Sequence, residues 1–210
     1  MNAKKVDKST EEKIKAAGRK LFTKKGFAAT KTREIAEEAG INLALLNYYF
    51  RSKEKLFEII MQENMATFIK GMAGLFNDDS TSVQDKMAHI ASGYIDLLTQ
   101  FPDLPLFILR EMHHGKADFP EKVDGNIGRA RMHFMEQIEE AMAAGKLQPM
   151  HTFHVMANLM GMTIFPFIAA PILKKFSGVS QKEYKQLIEE RRQLIPIWMN
   201  AMLEKKPTKR

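Results

Sequence analysis

Apolar residues recur at helical spacing along most of the chain, and the strict alternation that marks strands is almost absent. The first helical segment begins with a Ser-x-x-Glu capping box at residues 9–12. It continues with Ile14, Ala17 and Leu21 on one face, and Gly26 is placed to end it. The pattern predicts an all-α protein.

Capping and turn residues divide the rest of the chain into further helices. Thr32 is the predicted N-cap of a short helix that Gly40 ends, and Asn42 caps the next helix. The turn-rich residues 77–80 form the clearest break. The prediction is about nine helices, and those after the first span residues 32–39, 43–49, 53–76, 83–100, 105–114, 120–144, 151–176 and 180–204.

The net charge of +7 is concentrated near the amino end. Residues 1–60 hold 14 of the 32 Lys and Arg against 8 of the 25 Asp and Glu. A basic segment beside a nearly neutral body suggests a polyanion-binding module, although a solvated face or a membrane-surface segment has the same composition. The chain has no cysteine, which excludes a disulfide scaffold, thiol chemistry and cysteine-ligated metal sites.

The stretch from residue 32 to residue 50 has the spacing of two helices that cross over a short turn. Ala36 is small where the second helix must approach, and Gly40 can take the positive φ that the reversal needs. Ile35, Ile41 and Leu46 supply the apolar inner face. This pattern matches a helix-turn-helix, with an ordinary corner between two helices as the alternative.

The second helix of this corner would present its amino-terminal residues to base edges in a major groove. Residues 43–45 could contact thymine methyl groups, and Asn47 could bond adenine or phosphate. Residues 30–32 begin the first helix of the corner, where an anion is favoured, and Arg33 could reach a base or a phosphate. Tyr49 and Lys53 flank the far side as phosphate clamps. Packing is the alternative role of the two tyrosines. The predicted DNA contacts are Thr30, Lys31, Thr32, Arg33, Asn42, Leu43, Ala44, Leu45, Asn47, Tyr48, Tyr49 and Lys53.

Residues 14–57 resemble the amino-terminal DNA-binding domain of the TetR family of bacterial transcriptional regulators. The resemblance rests on Ala17, on Leu21 with Phe22, and on the segments KGF, TKTREIA, AGI and LNYYFRSKEKL, with their spacings intact. Leu43 and Asn47 depart from the family pattern, and both lie on the surface expected to read bases. The departures leave the expected fold unchanged and the operator sequence open.

The resemblance implies a ligand-responsive repressor. No catalytic motif supports an enzyme, no cofactor is expected, and the lack of cysteine fits the cytoplasm. The resemblance also implies a three-helix helix-turn-helix domain at 1–56 and a larger helical ligand-binding and dimerisation domain at 57–210, linked by the helix from residue 53. A homodimer would pair the helices at 151–176 and 180–204 and bind a palindromic double-stranded DNA operator. A small apolar or amphipathic effector in the second domain would release that operator.

The second domain is rich in flexible and aromatic apolar side chains, since most of the 15 Met and 14 Phe follow residue 60. Such side chains suit an adaptable pocket, and a methionine-rich core is the alternative at each position. The predicted pocket residues are Phe107, Met112, His113, Phe134, Met135, Ile138, Met160 and Phe165.

Two features of the sequence are compatible with other classes of protein, a membrane-associated protein and a metal-binding enzyme. The uncharged residues 155–173 have the length of a membrane span, but a buried helix is equally apolar and no membrane is expected. Glu111 with His114, and His151 with His154, have spacings that could share a metal, but further ligands are missing and no metal site is predicted. Neither class explains the spacing at residues 32–50.

Overall fold

The computed structural model describes residues 8–113 and 127–204, with the side chains of all of these except residues 110–113. Every regular element in these ranges is an α-helix, which confirms the predicted fold class. The described helices are α1 (Lys8–Ala29), α2 (Thr32–Glu38), α3 (Leu43–Phe50), α4 (Lys53–Phe76), α5 (Val83–Gln100), α6 (Leu104–His113), α7 (Ile127–Ala143), α8 (Thr152–Ile168), α9 (Ala170–Ser177) and α10 (Gln181–Leu203).

The chain divides into two compact units, Met1–Met65 and Ala66–Arg210, and the division falls inside α4. In the first unit, side chains of α1 contact the first part of α4. Gly18 lets the two helices approach closely, because a Cβ atom there would lie 2.9 Å from Cδ1 of Ile60. Phe22 packs edge-on against Phe57, with ring centroids 5.1 Å apart. The helix α1 also packs against α2, and α2 packs against α3.

Gly26 interrupts α1 as the sequence predicted, since its φ of 77° and ψ of 168° are not helical. One more turn follows it, so the helix is described to Ala29. The predicted inward residues of α1, including Ile14 and Leu21, are buried.

The second unit has its core between α5, α8 and α10, with α7 packed alongside. Arg192 of α10 ties that helix to α5 by donating to the backbone carbonyl and hydroxyl of Ser92 and to the carboxylate of Asp96. Phe76 and Phe134 stack with ring centroids 5.1 Å apart at the α4 and α7 side of the core. Lys86 is fully buried there and donates to the Phe76 carbonyl.

The predicted single helix at 151–176 is wrong, because the structure has two helices, α8 and α9, that meet at an angle of 77°. Pro166 lies inside α8 and removes the N–H that would bond the carbonyl of Met162. Arg191 replaces that donor, with Nη2 2.9 Å and Nε 3.2 Å from the Met162 oxygen. The chain bends three residues after the proline, and this division raises the expected nine helices to ten within the described ranges.

Candidate nucleic-acid interface

The corner between α2 and α3 is closed by backbone hydrogen bonds around Gly40. Gly40 has a φ of +67°, its N–H donates to the Glu37 carbonyl, and the N–H of Ile41 donates to the Ala36 carbonyl. These two bonds make a Schellman motif, which satisfies the last carbonyls of α2. Asn42 then caps α3, because its Oδ1 accepts from the Leu45 N–H at 2.8 Å. The predicted turn and cap are therefore confirmed.

The inner face of the corner holds α2 and α3 together through apolar contacts. Ile35, Ala36 and Leu46 are buried as predicted, and Ile41 is only half-buried. Phe50 at the end of α3 is also buried, so the middle and the carboxyl end of this short helix are anchored in the first unit. The opposite face of α3 is left at the surface.

That surface carries most of the predicted base-reading residues. Tyr48 is 63% exposed, Asn42, Ala44 and Asn47 are exposed, and residues 43, 45 and 49 are half-buried. Tyr48 and Tyr49 contact each other edge-on, with ring centroids 5.6 Å apart. The structure thus leaves a polar amide, two phenols and several apolar side chains on the part of α3 that faces away from Leu46 and Phe50.

The N-cap of α2 is Lys31 and not Thr32, which is the first helical residue. The Glu34 carboxylate fixes this start, because it accepts from the Lys31 backbone N–H at 3.1 Å. A hydrogen bond from Lys25 and then the one from the Lys31 backbone hold the pKa of Glu34 below its ordinary value. The side chains of Lys31 and Arg33 are exposed beside this start, where the helix amides favour an anion.

The predicted contact between the Thr30 side chain and phosphate is wrong for this conformation. Its side chain faces inward, it is 1% exposed, and its hydroxyl donates to the carbonyls of Gly26 at 2.8 Å and Leu21 at 3.3 Å. The bond to Gly26 satisfies a carbonyl at the break in α1. Thr30 therefore holds the end of α1 and offers no hydroxyl to DNA in this conformation.

Lys53 also has an internal role that its sequence position did not indicate. Its ammonium donates to the carbonyls of Phe27 and Thr30, each at 3.0 Å, and lies 4.2 Å from the centroid of the Phe27 ring. It therefore ties the start of α4 to the end of α1. A contact between Lys53 and phosphate stays a prediction, and it would share the ammonium with these carbonyls.

A second link between α1 and α4 was missed by the sequence reasoning. The Glu63 carboxylate accepts from Lys15 at 2.6 Å and from Arg19 at 2.8 Å. Burial pulls the pKa of Lys15 down, but its bonds to Glu12 and Glu63 raise it above its ordinary value overall. Cations four residues apart on one face of α1 were the available signal, and only the tertiary pairing identifies their partner.

The predicted effector pocket is only partly described, because the side chains of Met112 and His113 lie outside the described ones. Phe107, Phe134 and Ile138 are buried, and Met135 and Met160 are half-buried. Phe165 is 56% exposed on α8. The pocket assignment of all eight residues stays a prediction.

A cleft of about 510 Å³ opens in the second unit, between the first turn of α5, the end of α7 and the loop that follows α7. Eight of its twelve lining residues are polar or charged, and none of the predicted pocket residues with described side chains contributes to it. The lining residues are Asp79, Ser80, Thr81, Ser82, Val83, Gln84, Gln137, Glu140, Ala141, Ala144, Lys146 and Leu147.

The described residues give little support to a membrane-associated protein or to a metal-binding enzyme. No single described helix combines the length and apolar composition of a membrane span, and α8 and α9 reach those limits only as a bent pair. The described side chains contain no group of three or more His, Asp or Glu arranged to hold a metal ion. Glu111 and His114 lie outside the described side chains, and His151 caps α8 by accepting from the Phe153 N–H.

Comparison with known proteins connects this geometry to one group. Residues 14–60 match the family model for bacterial regulatory proteins of the tetR family. The chain is 25% identical over 198 residues to the probable HTH-type transcriptional regulator YttP of Bacillus subtilis, covering 92% of this chain and 94% of that protein. It is 31% identical over 98 residues to the HTH-type transcriptional repressor NicS of Pseudomonas putida, covering 45% and 46%.

Solved structures share the fold along nearly the whole chain. A TetR transcription regulator from Haloarcula marismortui superposes with a TM-score of 0.63 at 19% identity, covering 94% of this chain and all of that one. A regulator of the TetR/AcrR family from Thermobifida fusca superposes with a TM-score of 0.59 at 15% identity, covering 90% and 97%. The likeness therefore includes the second unit as well as the helix-turn-helix.

Proposed function

The chain belongs to the TetR family of bacterial transcriptional regulators, and we propose that it is a homodimeric repressor released from its operator by a small molecule. The observation that carries the proposal is the α2–α3 corner, which buries one face of α3 and leaves the other exposed. Two such helices in a dimer would enter successive major grooves of a palindromic operator, roughly 34–36 Å apart. A bacterial operator lies in the cytoplasm, so the proposal includes a cytoplasmic location.

Phosphate contacts would supply most of the affinity. Lys31 and Arg33 lie exposed at the start of α2, where helix amides favour anions, and the first 60 residues carry the excess positive charge. Base reading would fall to the exposed face of α3, where Asn47 supplies an amide and Ala44 a methyl group. This division predicts an affinity that falls steeply with salt and a specificity that depends on few side chains.

Dimerisation is supported by the apolar side chains that α8 and α10 leave exposed in a single chain. Phe153 is 63% exposed, Ile197 59% and Trp198 39%. Large apolar residues on neighbouring helices are typical of an interface with a second copy. Phe165 joins this surface, so its exposure has a use in the dimer.

The effector is proposed to be apolar or amphipathic and to bind among the aromatic and methionine side chains of the second unit. Phe107 and Phe134 line its interior. Among the relatives, one from Bacillus subtilis is named a fatty acid metabolism regulator protein, which agrees with this class of effector. The effector can release DNA only by binding more tightly to the conformer that does not fit the operator.

The decisive experiment selects bound duplexes from a random DNA pool at low ionic strength. We expect enrichment of a palindromic sequence with half-sites about one helical turn apart, and failure to enrich any sequence would refute the proposal. Fluorescence anisotropy on the selected duplex should then give a strong salt dependence. The matched variants Arg33→Gln and Lys175→Gln each remove one exposed charge, and only the first should reduce the salt slope, by about 0.9 for each bound protomer.

The complex with the selected duplex also serves to identify the effector. Fatty acids and other apolar or amphipathic metabolites would be added to the complex, and the expected result is a lower apparent DNA affinity with one of these compounds. Release by polar compounds alone would contradict the proposed effector class.

A further inference from the structure

The junction between α3 and α4 has an unusual backbone at Arg51. Arg51 has a φ of 60° and a ψ of −40°, the one positive φ at a non-glycine residue in the described ranges. The N–H of Ser52 donates to the Phe50 carbonyl at 2.6 Å, which closes a three-residue turn around Arg51. This is the positive-φ form of the γ-turn, a rare and strained conformation for a residue with a side chain.

The anchoring of both helices explains why the chain adopts this turn. Phe50 is buried at the end of α3, and Leu56 is buried in the first turns of α4. The ammonium of Lys53 is held by two carbonyls of the α1 end. Only two residues join the helices, so the reversal falls on Arg51. Glycine is the residue that adopts such a φ without strain, yet the position carries arginine.

The side chain of Arg51 is left for a partner outside the protomer. It is exposed, and no hydrogen bond or ion pair joins it to any described residue. The neighbouring cations differ, because Lys53 faces inward and Lys55 is paired with Glu58 at 2.7 Å. A strained backbone that holds an unpaired, exposed cation beside a binding face indicates a functional position.

We propose that Arg51 binds a backbone phosphate at the edge of the groove that α3 enters, an inference that rests on the proposed DNA-binding function. The eight residues of α3 span about 12 Å, close to the width of a B-DNA major groove. With residues 43–45 at the base edges, the end of α3 reaches the flanking phosphates. The guanidinium gives two parallel hydrogen bonds to one phosphate, which fixes the orientation of the helix.

The test compares three substitutions that separate charge from strain. Arg51→Ala and Arg51→Gly both remove the guanidinium, so each should weaken binding of the selected duplex about tenfold per half-site and lower the salt slope by about 0.9 for each bound protomer. Arg51→Lys should keep the slope. Thermal unfolding separates the first two, because only glycine relaxes the turn, and Arg51→Gly should melt about 2–4 °C above Arg51→Ala.

Lys175→Gln is the charge-matched control in the second unit and should bind like the unaltered protein. Unchanged affinity and slope in both Arg51→Ala and Arg51→Gly would overturn the phosphate contact while the unaltered protein still binds its operator. Equal melting temperatures for these two variants would overturn the strained turn. Failure of the unaltered protein to bind any duplex would instead refute the proposed function.

Discussion

The proline in α8 makes the stability of the protein depend on a side chain of α10. Because Pro166 has no N–H, the carbonyl of Met162 depends on Arg191 for its hydrogen bonds, at 2.9 and 3.2 Å. Arg191→Met keeps an unbranched chain of similar reach and removes both donors. Hydrogen bonds that involve a charged group contribute about 1.5–3 kcal/mol, so we expect the free energy of unfolding to fall by about 2 kcal/mol.

A second substitution isolates the hydrogen bond from other contacts of Arg191, such as its stacking 5.0 Å from the Trp198 ring. Pro166→Ala restores an N–H that can donate to the Met162 carbonyl within α8. In that background Arg191→Met should cost about 1–2 kcal/mol less than it does beside Pro166. The difference between the two costs of Arg191→Met is the coupling energy between positions 166 and 191. The stacking on Trp198 is lost in both backgrounds and therefore cancels from this difference.

Urea unfolding of the four proteins, at one protomer concentration because dimerisation shifts apparent stability, measures this coupling. A thermal scan should show it as a melting difference of about 2–4 °C for each kcal/mol. If Arg191→Met costs the same in both backgrounds, the guanidinium does not substitute for the missing N–H and the reasoning is wrong.

Four further predictions test the site and its supports. Gly40→Ala should lower the free energy of unfolding by about 1 kcal/mol, and Gly40→Val should lower it further. The cost comes from the φ of +67°, because an added Cβ would meet no atom within 4 Å, and a variant as stable as the unaltered protein would contradict this. Lys53→Ala should lower the melting temperature and weaken DNA binding similarly for all sequences, whereas a sequence-selective loss would exclude a phosphate contact. Trp198→Glu should shift the protein to monomers in light scattering and abolish operator binding, and a persistent dimer would remove Trp198 from the interface. Burial alone would lower the pKa of Lys15, but Glu12 and Glu63 raise it overall. The stabilisation by Lys15 is therefore complete below the ordinary lysine pKa of 10.5 and is lost as the pH rises through the raised pKa. The stability difference between the unaltered protein and Lys15→Met should shrink at high pH, and a constant difference would disprove the linkage.

Local signals in the sequence were sufficient for the helices and the corner. Asn42 caps α3 and Gly40 reverses the chain because each acts on backbone groups within five residues, so the pattern is readable without the fold. The apolar spacing of Ile35, Ala36 and Leu46 fixed the buried face for the same reason. The bounds of α4 and α5 also match their predicted spans.

The direction of long polar side chains was decided only by tertiary contacts. Thr30 and Lys53 were expected to face phosphate, but both donate hydrogen bonds to carbonyls near the break at Gly26. The sequence indicates this break but not which side chains bond its carbonyls. The carbonyl freed by Pro166 likewise finds Arg191, 29 residues away. Similarly, the bend after α8 divided an apolar run that reads as one helix.

The sequence by itself therefore determined that this protein is helical and carries a helix-turn-helix, since capping and helical periodicity are properties of neighbouring residues. Which polar groups serve that corner, and which remain exposed to serve a partner, was decided by the tertiary structure. A hydrogen bond between distant segments depends on a position in space that no local spacing specifies, and the free guanidinium of Arg51 became visible only once its neighbours had been paired.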